Sequence, residues 1–278
     1  MRVSIVMAGR NSNPDLLRET IDSILNQTFQ DFEFVFVDDG SEKPLEPIVR
    51  SISSDERISV YRIEPSGLGA ALNYGIKHSC GEYIARLDDD DISLPTRLQK
   101  QVSYLDNHPN VSCVGTQLYY KYENKVYPHS PFPINHEGIL ERLASLHFAI
   151  AHTSIMFRKS AFAKIGGYRI LGGGQDLDLF FQLGTVGNLT NLDDYLVCYT
   201  LSLTGLSVVN PKKSQAYLFA LESALNKDVY SPYFPVIRES IKKLKCTPTK
   251  SYLERIGLSK RKVLLLMVRF FGKRMFLK

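Results

Sequence analysis

Residues 83–91 read YIARLDDDD, a short apolar run that ends in four consecutive aspartates. The run predicts a buried strand from Tyr83 to Leu87, so that Asp88 to Asp91 would lie where this strand enters a loop. Four neighbouring carboxylates repel one another unless a cation gathers them or water and turn geometry dilute their charge. A site for a divalent ion is the more specific interpretation of the segment, while a solvated acidic turn is the more common one for an acidic run considered alone.

Strand and helix patterns alternate regularly before this segment. Strands are predicted at residues 3–7, 32–37 and 58–63, and helices at 14–26, 44–53 and 67–79. Such alternation predicts right-handed βαβ units and a parallel sheet, whose ligands bind beyond the carboxyl ends of the strands. The sequence VDDGS, with Asp38 and Asp39, ends the second strand. We therefore expect two acidic loops to meet at one edge of the sheet.

Composition narrows the class of protein. The chain has 278 residues, of which 44% are hydrophobic and 23% charged, as in a globular protein with an ample core. The first strand follows Met1 too closely for a signal peptide, so the body is expected to be cytoplasmic. The four cysteines form no CxxC pair, and neither GxGxxG after the first strand nor a P-loop motif occurs. These absences argue against a zinc site, a disulfide framework and dinucleotide binding.

Charge is distributed unevenly along the chain. Residues 241–278 contain twelve Lys and Arg against one acidic residue, while the whole chain carries a net charge of +5. At helical spacing, Leu264, Val268, Phe271 and Met275 share one face and basic residues another. The apolar stretch is shorter than the roughly 20 residues that cross a bilayer. The pattern predicts a helix lying on an anionic membrane surface, with a helix packed on the body as the alternative; no nucleic-acid partner is expected.

Several segments, in this order, resemble family 2 glycosyltransferases. The resemblance extends from about residue 3 to about residue 201 and rests on SIVM (4–7), LRETIDSILNQT (17–28), DFE (31–33), VDDGS (37–41), GEYIARLDDDD (81–91), and GGY (166–168) leading to QDLDL (175–179). It implies an α/β fold of the GT-A type, a Rossmann-like sandwich with a mainly parallel central sheet. Residues 1–205 would form the catalytic domain, with the donor half at 1–95 and the acceptor half at 96–205. Residues 206–278 would form a helical region that ends in the basic tail.

The resemblance also implies roles for individual aspartates. Asp39 would contact the nucleobase, Asp88 and Asp89 the donor nucleotide, and Asp90 a Mn²⁺ or Mg²⁺ ion that bridges the diphosphate. Carboxylate oxygens suit such hard cations, which neutralise a leaving diphosphate. Asp176 falls where the family keeps its catalytic base. Direct attack on the sugar would then invert the anomeric centre. On the residues alone, the favoured interpretation is that Asp176 or Asp178 caps the helix that begins there.

The chain departs from the family pattern at residues 8–11 and at Gln175. Where many members carry Pro-Val-Tyr-Asn beside the base, this chain has AGRN at 8–11, so Ala8 and Arg10 are the expected nucleotide contacts. Arg10 could stack on a pyrimidine or pair with phosphate, and uracil is the expected base. Gln175 replaces the usual Glu before the base. His152 lies in AHTS, which resembles a family segment near the acceptor pocket. His152 and Gln175 are therefore the acceptor-site candidates.

The sequence thus predicts a metal-dependent inverting glycosyltransferase. Its donor would be a UDP-sugar and its acceptor a saccharide, linked to polyprenyl diphosphate, in bacterial surface polysaccharide biosynthesis such as that of O-antigen. The enzyme would associate peripherally with the cytoplasmic face of the inner membrane. A sugar nucleotidyltransferase would ordinarily carry a Gly-rich basic loop after the first strand, for which AGRN is a poor match. A non-catalytic membrane-binding module is the other alternative.

Overall fold

The computed structural model describes residues 1–122, 125–201 and 213–246. Its strands are β1 (Val3–Gly9), β2 (Phe32–Asp39), β3 (Ile58–Ile63), β4 (Tyr83–Arg86), β5 (Ile92–Ser93), β6 (Val111–Tyr122), β7 (Lys125–Pro128), β8 (Met156–Arg158) and β9 (Asn188–Thr200). The helices are α1 (Pro14–Leu25), α2 (Glu46–Ile52), α3 (Leu68–Lys77), α4 (Arg97–Asn107), α5 (His136–Ala144), α6 (Lys159–Ile165), α7 (Gln175–Gly184), α8 (Lys213–Ala224) and α9 (Phe234–Cys246). Two 3-10 helices span His152–Ser154 and Asp228–Tyr233.

Within the described ranges the strands form one sheet in the order β3-β2-β1-β4-β8-β6-β9-β5, with β7 paired to β6. The first four strands of this order are parallel, as the alternating pattern predicts. β6 and β9 are also parallel, whereas β8 runs antiparallel to both β4 and β6. The carboxyl ends of β1, β2 and β4 therefore lie side by side at one edge of the sheet.

Local sequence explains why the early elements form where they do. α1 begins at Pro14, whose fixed φ suits a first helical position, and the Asn13 side chain accepts hydrogen bonds from Asp15 N and Leu16 N. Its apolar face, with Leu17 and Ile21, is buried against the sheet.

Two boundaries differ from the prediction. β2 continues through Asp38 and Asp39, which pair with Arg62 and Ile63 of β3. The helix predicted from residue 44 begins at Glu46 instead. The reason is that Leu45 N donates to the Asp38 carboxylate, which holds the preceding residues in a turn.

Helices cover both faces of the sheet. Alternate residues of β1 point to opposite sides, so Val6 belongs to one hydrophobic cluster while Ile5 and Met7 belong to the other. The first cluster is completed by α3, α5, α6, α7, α8 and α9, and the second by α1, α2 and α4. This is the layered α/β architecture that the resemblance implies.

Residues 213–246 are helical and share the first cluster with the sheet. Tyr230 donates to Phe181 O of α7, and Ser240 donates to Ala144 O of α5 at 2.8 Å. The division of the chain at residue 205 stays a prediction, and the predicted basic tail lies outside the described residues. Among the helices that are described, none is both long enough and apolar enough to span a bilayer.

Candidate active site

The carboxylate of Asp39 lies at the carboxyl end of β2 and is 6% exposed. Its Oδ1 accepts a hydrogen bond from Ser66 N at 2.7 Å, and its Oδ2 accepts one from Gly67 N at 3.0 Å. These two residues immediately precede α3, so Asp39 orients the start of that helix. The predicted contact to a nucleobase would thus come from a carboxylate that the protein already holds in place.

Asp38, the other aspartate of the VDDGS segment, shapes the loop after β2. Its Oδ1 accepts from Ser41 N at 2.8 Å, and its Oδ2 accepts from Leu45 N at 3.1 Å. Gly40, which precedes Ser41 in this loop, has φ of +67°. A Cβ at this position would lie 2.5 Å from the Pro65 ring. The glycine is therefore required by both the backbone conformation and the close contact.

The four consecutive aspartates have different partners. Asp88 pairs with Arg86 Nη2, and its backbone N–H donates to Thr153 Oγ1 at 3.1 Å. Asp89 accepts a hydrogen bond from the Ser12 hydroxyl. Asp91 is buried and accepts from Thr200 N at 2.8 Å. The Asp90 side chain makes no hydrogen bond to any other residue that the structure describes.

Burial and mutual repulsion disturb the titration of this loop. Burial, followed by the charges of Asp88 and Asp89, raises the pKa of Asp90 to about 7. Burial also raises the pKa of Asp89, and it raises that of Asp91 well above its ordinary value, with the Asp88 charge adding to both. Burial and mutual repulsion thus make ionisation of these carboxylates unfavourable, and a bound cation would lower that cost.

The donor set fits a hard divalent cation in its chemistry, because the available ligands are carboxylate oxygens. Across residues 1–122, 125–201 and 213–246, however, no three side chains of His, Cys, Asp or Glu are grouped so as to hold a metal by themselves. Magnesium is commonly held by one or two carboxylates, with water and substrate phosphates completing its shell. The residues present fit that mode, with Asp90 as the available ligand and Asp88, which pairs with Arg86, beside it.

Arg86 is the main residue of this site that the sequence analysis did not single out. It belongs to β4 and is 1% exposed, and its Nε and Nη1 find no hydrogen-bond acceptor among the described residues. Arg97 lies close behind it: burial, together with the Arg86 charge, lowers the pKa of Arg97 to about 9. The sequence does contain a signal for Arg86, because a charged residue within an apolar strand that leads to an acidic run indicates a buried partner for those acids. Ser12, the partner of Asp89, carried no comparable signal.

α7 presents Asp176 in its first turn, as predicted, after three glycines with positive φ at 172–174. Asp176 is partly exposed and makes no side-chain hydrogen bond within the described chain. Its neighbour Asp178 is 1% exposed and accepts hydrogen bonds from Arg169 and Gln182. No side chain caps the start of α7 by hydrogen bonding. The two carboxylates of the QDLDL segment are thus in different environments, one available and one fully engaged.

His152 and Gln175 belong to a 3-10 helix and to the first turn of α7, respectively. The ring Nε2 of His152 lies 2.8 Å from the Tyr168 hydroxyl, and burial holds the pKa of His152 well below its usual value. Gln175 is the first residue of α7 and is partly exposed. Their contact with an acceptor stays a prediction.

Ala8 and Arg10 lie beside the acidic loops. Ala8 is buried near the carboxyl end of β1, where the next residue, Gly9, pairs with Asp38. Arg10 is exposed in the bend that follows. The fold therefore brings Ala8, Arg10, Asp39 and Asp88 to Asp90 to one edge of the sheet. α7 is connected to this edge through Arg169, which pairs with Asp178, and through the adjacent Tyr168, whose hydroxyl lies 2.8 Å from His152 Nε2.

Comparison with known proteins identifies the family. The model of the family "Glycosyl transferase family 2" matches residues 4–166. An uncharacterised glycosyltransferase of Haemophilus influenzae is 31% identical over 81% of this chain and 86% of its own length. The O-antigen biosynthesis glycosyltransferase WbnJ of Escherichia coli is 32% identical over 59% of this chain and 65% of its own.

A solved structure shows the same fold at lower identity. S. aureus TarS 1-349, in complex with UDP-GlcNAc, superposes with a TM-score of 0.72 at 18% identity, covering 89% of this chain and 73% of that one. The resemblance in the sequence segments is thereby confirmed, as is the GT-A type of fold. The chain belongs to glycosyl transferase family 2 and is a glycosyltransferase related to enzymes of polysaccharide biosynthesis.

Proposed function

We propose that the protein is a metal-dependent inverting glycosyltransferase that moves a sugar from a nucleotide-diphosphate donor to a hydroxyl of a saccharide. The observation that carries this proposal is that two carboxylates at segments of the family pattern, Asp90 and Asp176, make no side-chain hydrogen bond to another residue in the described part of the chain. Their neighbours Asp88, Asp89, Asp91 and Asp178 are engaged by other residues of the chain.

The donor would lie across the carboxyl ends of β1, β2 and β4, where ligands of parallel α/β sheets bind. Asp39 would accept hydrogen bonds from the nucleobase, and Arg10, which is exposed beside it, would stack on the base or pair with phosphate. A uracil base is supported by the likeness in fold to TarS, whose solved complex contains UDP-GlcNAc.

A divalent cation, when bound, would neutralise charge on the leaving diphosphate. Asp90 would be its ligand, with Asp88 close by and oriented by Arg86. The raised pKa of Asp90 supports this assignment, because cation binding and deprotonation of this carboxylate favour each other.

Asp176 would act as the general base. As the acceptor oxygen forms its bond to the anomeric carbon, the bond from that carbon to the diphosphate oxygen breaks, and the hydroxyl proton passes to Asp176. Attack from the face opposite the leaving group inverts the anomeric configuration. The supporting observation is that Asp176 is partly exposed and has no side-chain hydrogen bond to any residue the structure describes, whereas Asp178 is buried and paired.

The acceptor would be a lipid-linked saccharide, such as one on polyprenyl diphosphate, in the synthesis of a surface polysaccharide at the cytoplasmic face of the membrane. Kinship with the O-antigen enzyme WbnJ supports the polysaccharide, and the basic composition of residues 241–278 supports a membrane-bound acceptor. Family membership favours this reading over the nucleotidyltransferase and the non-catalytic module.

A donor panel tests the proposal directly. Purified protein is incubated with UDP-, GDP- and dTDP-sugars, with and without Mn²⁺, and release of the nucleotide is measured. We expect cation-dependent release from one or a few UDP-sugars, and a β-linked product from an α-linked donor once an acceptor is supplied. Release that is independent of a cation would contradict metal dependence, and retention of configuration would contradict inversion.

A further inference from the structure

Two residues in succession, Tyr168 and Arg169, join the donor half of the molecule to α7. On the donor side, Asn73 of α3 holds the backbone of Tyr168 at both polar groups. Its Nδ2 donates to Tyr168 O at 2.8 Å, and its Oδ1 accepts from Tyr168 N at 2.9 Å. A side-chain amide that satisfies both backbone groups of one residue fixes the position and the direction of the chain there.

On the other side, Arg169 holds α7. Its Nε donates to Asp178 Oδ2 at 2.8 Å, and its Nη2 donates to the other oxygen of the same carboxylate. Gln182 adds a hydrogen bond to Asp178 at 2.7 Å. Because Asp178 is 1% exposed and the pairing is bidentate, the contact is directional as well as attractive. Asp178 is two residues from Asp176 on the same helix.

The glycines before Tyr168 permit this arrangement. Gly166 and Gly167 have φ of +78° and +87°, a region that other residues rarely adopt. A Cβ on Gly167 would also lie 2.8 Å from Asn73 Oδ1. The chain can thus approach α3 closely enough for both hydrogen bonds only because these positions are glycine.

The donor site is connected to the same dipeptide by two routes. α3, which carries Asn73, begins just after Gly67, whose N–H donates to Asp39. The Tyr168 hydroxyl contacts His152, and the next residue, Thr153, accepts from Asp88 N. Asp39 is therefore connected to Tyr168 through α3, and Asp88 is connected to Tyr168 through Thr153 and His152.

We propose that Asn73, Arg169 and Asp178 are positioning residues, which hold Asp176 at a fixed place relative to the bound donor through the Tyr168–Arg169 bridge. This inference rests on the proposed function, in which Asp176 is the base. A base must meet the acceptor hydroxyl within hydrogen-bond reach, and displacements near 1 Å can cost about a hundredfold in rate. The three glycines before α7 leave that helix start without a capping side chain, so the Arg169–Asp178 pair supplies the anchor.

Arg169→Lys tests the bridge, because lysine keeps the charge but cannot form the two-pronged contact. Asn73→Asp is the second variant: it keeps the shape and replaces the amide donor to Tyr168 O with an oxygen. We expect each variant to lower kcat for transfer by about tenfold to a hundredfold. The donor Kd, measured calorimetrically with the nucleotide diphosphate and Mn²⁺, is expected to stay within about threefold. In the double variant the loss in kcat is expected to be smaller than the product of the two single losses.

Arg158→Lys is the matched control. The Arg158 guanidinium also makes two hydrogen bonds, donating to Val111 O at 2.9 Å and to Leu105 O at 2.6 Å. Arg158 pairs with Tyr83 at the start of β4, the end of the sheet opposite to the acidic loop. The Arg158→Lys variant should have a lower Tm, and its kcat should be unchanged at temperatures well below unfolding. If Arg169→Lys and Asn73→Asp behave like Arg158→Lys, the bridge is merely structural and the inference is overturned. Multiplicative losses in the double variant would overturn it as well.

Asp176→Asn, assayed in parallel, separates failure of the bridge from failure of the proposed function. Full turnover by Asp176→Asn would remove the base assignment and, with it, the positioning role. Loss of transfer in Asp176→Asn with unchanged kcat in Arg169→Lys would overturn the bridge alone.

Discussion

Arg86 Nη2 pairs with Asp88 Oδ1 from inside the sheet, although Arg86 is 1% exposed. A buried guanidinium is costly without a partner, and a run of four aspartates is costly without a counter-charge. Each compensates for the other at the point where β4 meets the acidic loop. Arg97 anchors the strand end further by donating to Arg86 O at 2.7 Å and to Ile155 O at 3.1 Å. The buried guanidinium of Arg86 therefore supplies part of the positive charge that compensates the acidic loop.

Arg86→Met should destabilise the fold by about 0.5–3 kcal/mol, because it leaves Asp88, whose side chain is 30% exposed, without the guanidinium that compensates its charge. Urea denaturation measures the change. The double variant Arg86→Met/Asp88→Asn is the control, since it removes both charges and should lose less than Arg86→Met alone. Equal stability of Arg86→Met and the wild type would show that the pair does not contribute.

Asp90→Asn should abolish cation-dependent binding of the donor nucleotide while the protein stays folded. The reason is that an amide oxygen is a much weaker ligand than a carboxylate for Mg²⁺ or Mn²⁺. Calorimetric titration with nucleotide, with and without Mn²⁺, gives the result. Asp194→Asn is the matched control, because Asp194 is exposed and pairs with Lys100 on the surface. Unchanged Mn²⁺ dependence in Asp90→Asn would exclude Asp90 as the ligand.

Asp176→Asn should keep donor binding and lower the rate of transfer by about 10²- to 10⁴-fold, the usual contribution of a positioned general base. Steady-state kinetics with a saccharide acceptor and a separate measurement of nucleotide affinity distinguish the two effects. Asp193→Asn, an exposed change on β9, serves as the control. A variant that binds donor poorly would instead assign Asp176 to the donor site.

The stability of the metal-free protein should depend on pH through Asp90. Because its folded pKa of about 7 exceeds the unfolded value of about 4, the stability tied to its protonated form is present below pH 4 and is lost as pH rises through 7. Asp90→Asn is neutral throughout, so its stability relative to the wild type should rise over that range by up to about 4 kcal/mol. Urea denaturation in chelator at pH 5, 6, 7 and 8 measures the difference. A difference that is independent of pH would contradict the raised pKa.

The full chain should sediment with vesicles that contain acidic lipid, and a chain ending at residue 258 should not. The expectation comes from the seven basic residues at 260–278 that the shorter chain lacks, because each basic residue near an anionic surface contributes about 1 kcal/mol. Neutral vesicles and raised salt are the controls, since both weaken this attraction. Equal sedimentation of the two chains would remove the membrane role of the tail.

The sequence by itself determined the alternating strands and helices of the first half and the placement of two acidic segments at strand ends. These features follow from apolar periodicity and from the handedness of βαβ units, which local residues encode. It also determined the family, through short segments in a fixed order. The predicted helix start at residue 44 was wrong because the carboxylate of Asp38, seven residues earlier in the chain, holds Leu45 N in a turn.

Only the tertiary structure decided which carboxylates are free. Asp89 is engaged by Ser12, Asp91 by Thr200 and Asp178 by Arg169, and these pairings join residues from different elements of the chain. The spacing of aspartates in a sequence carries no information about such partners, because packing of the whole chain brings them together. The difference between Asp176 and Asp178, two residues apart on one helix, arises from that packing: one is partly exposed, and the other is buried against an arginine.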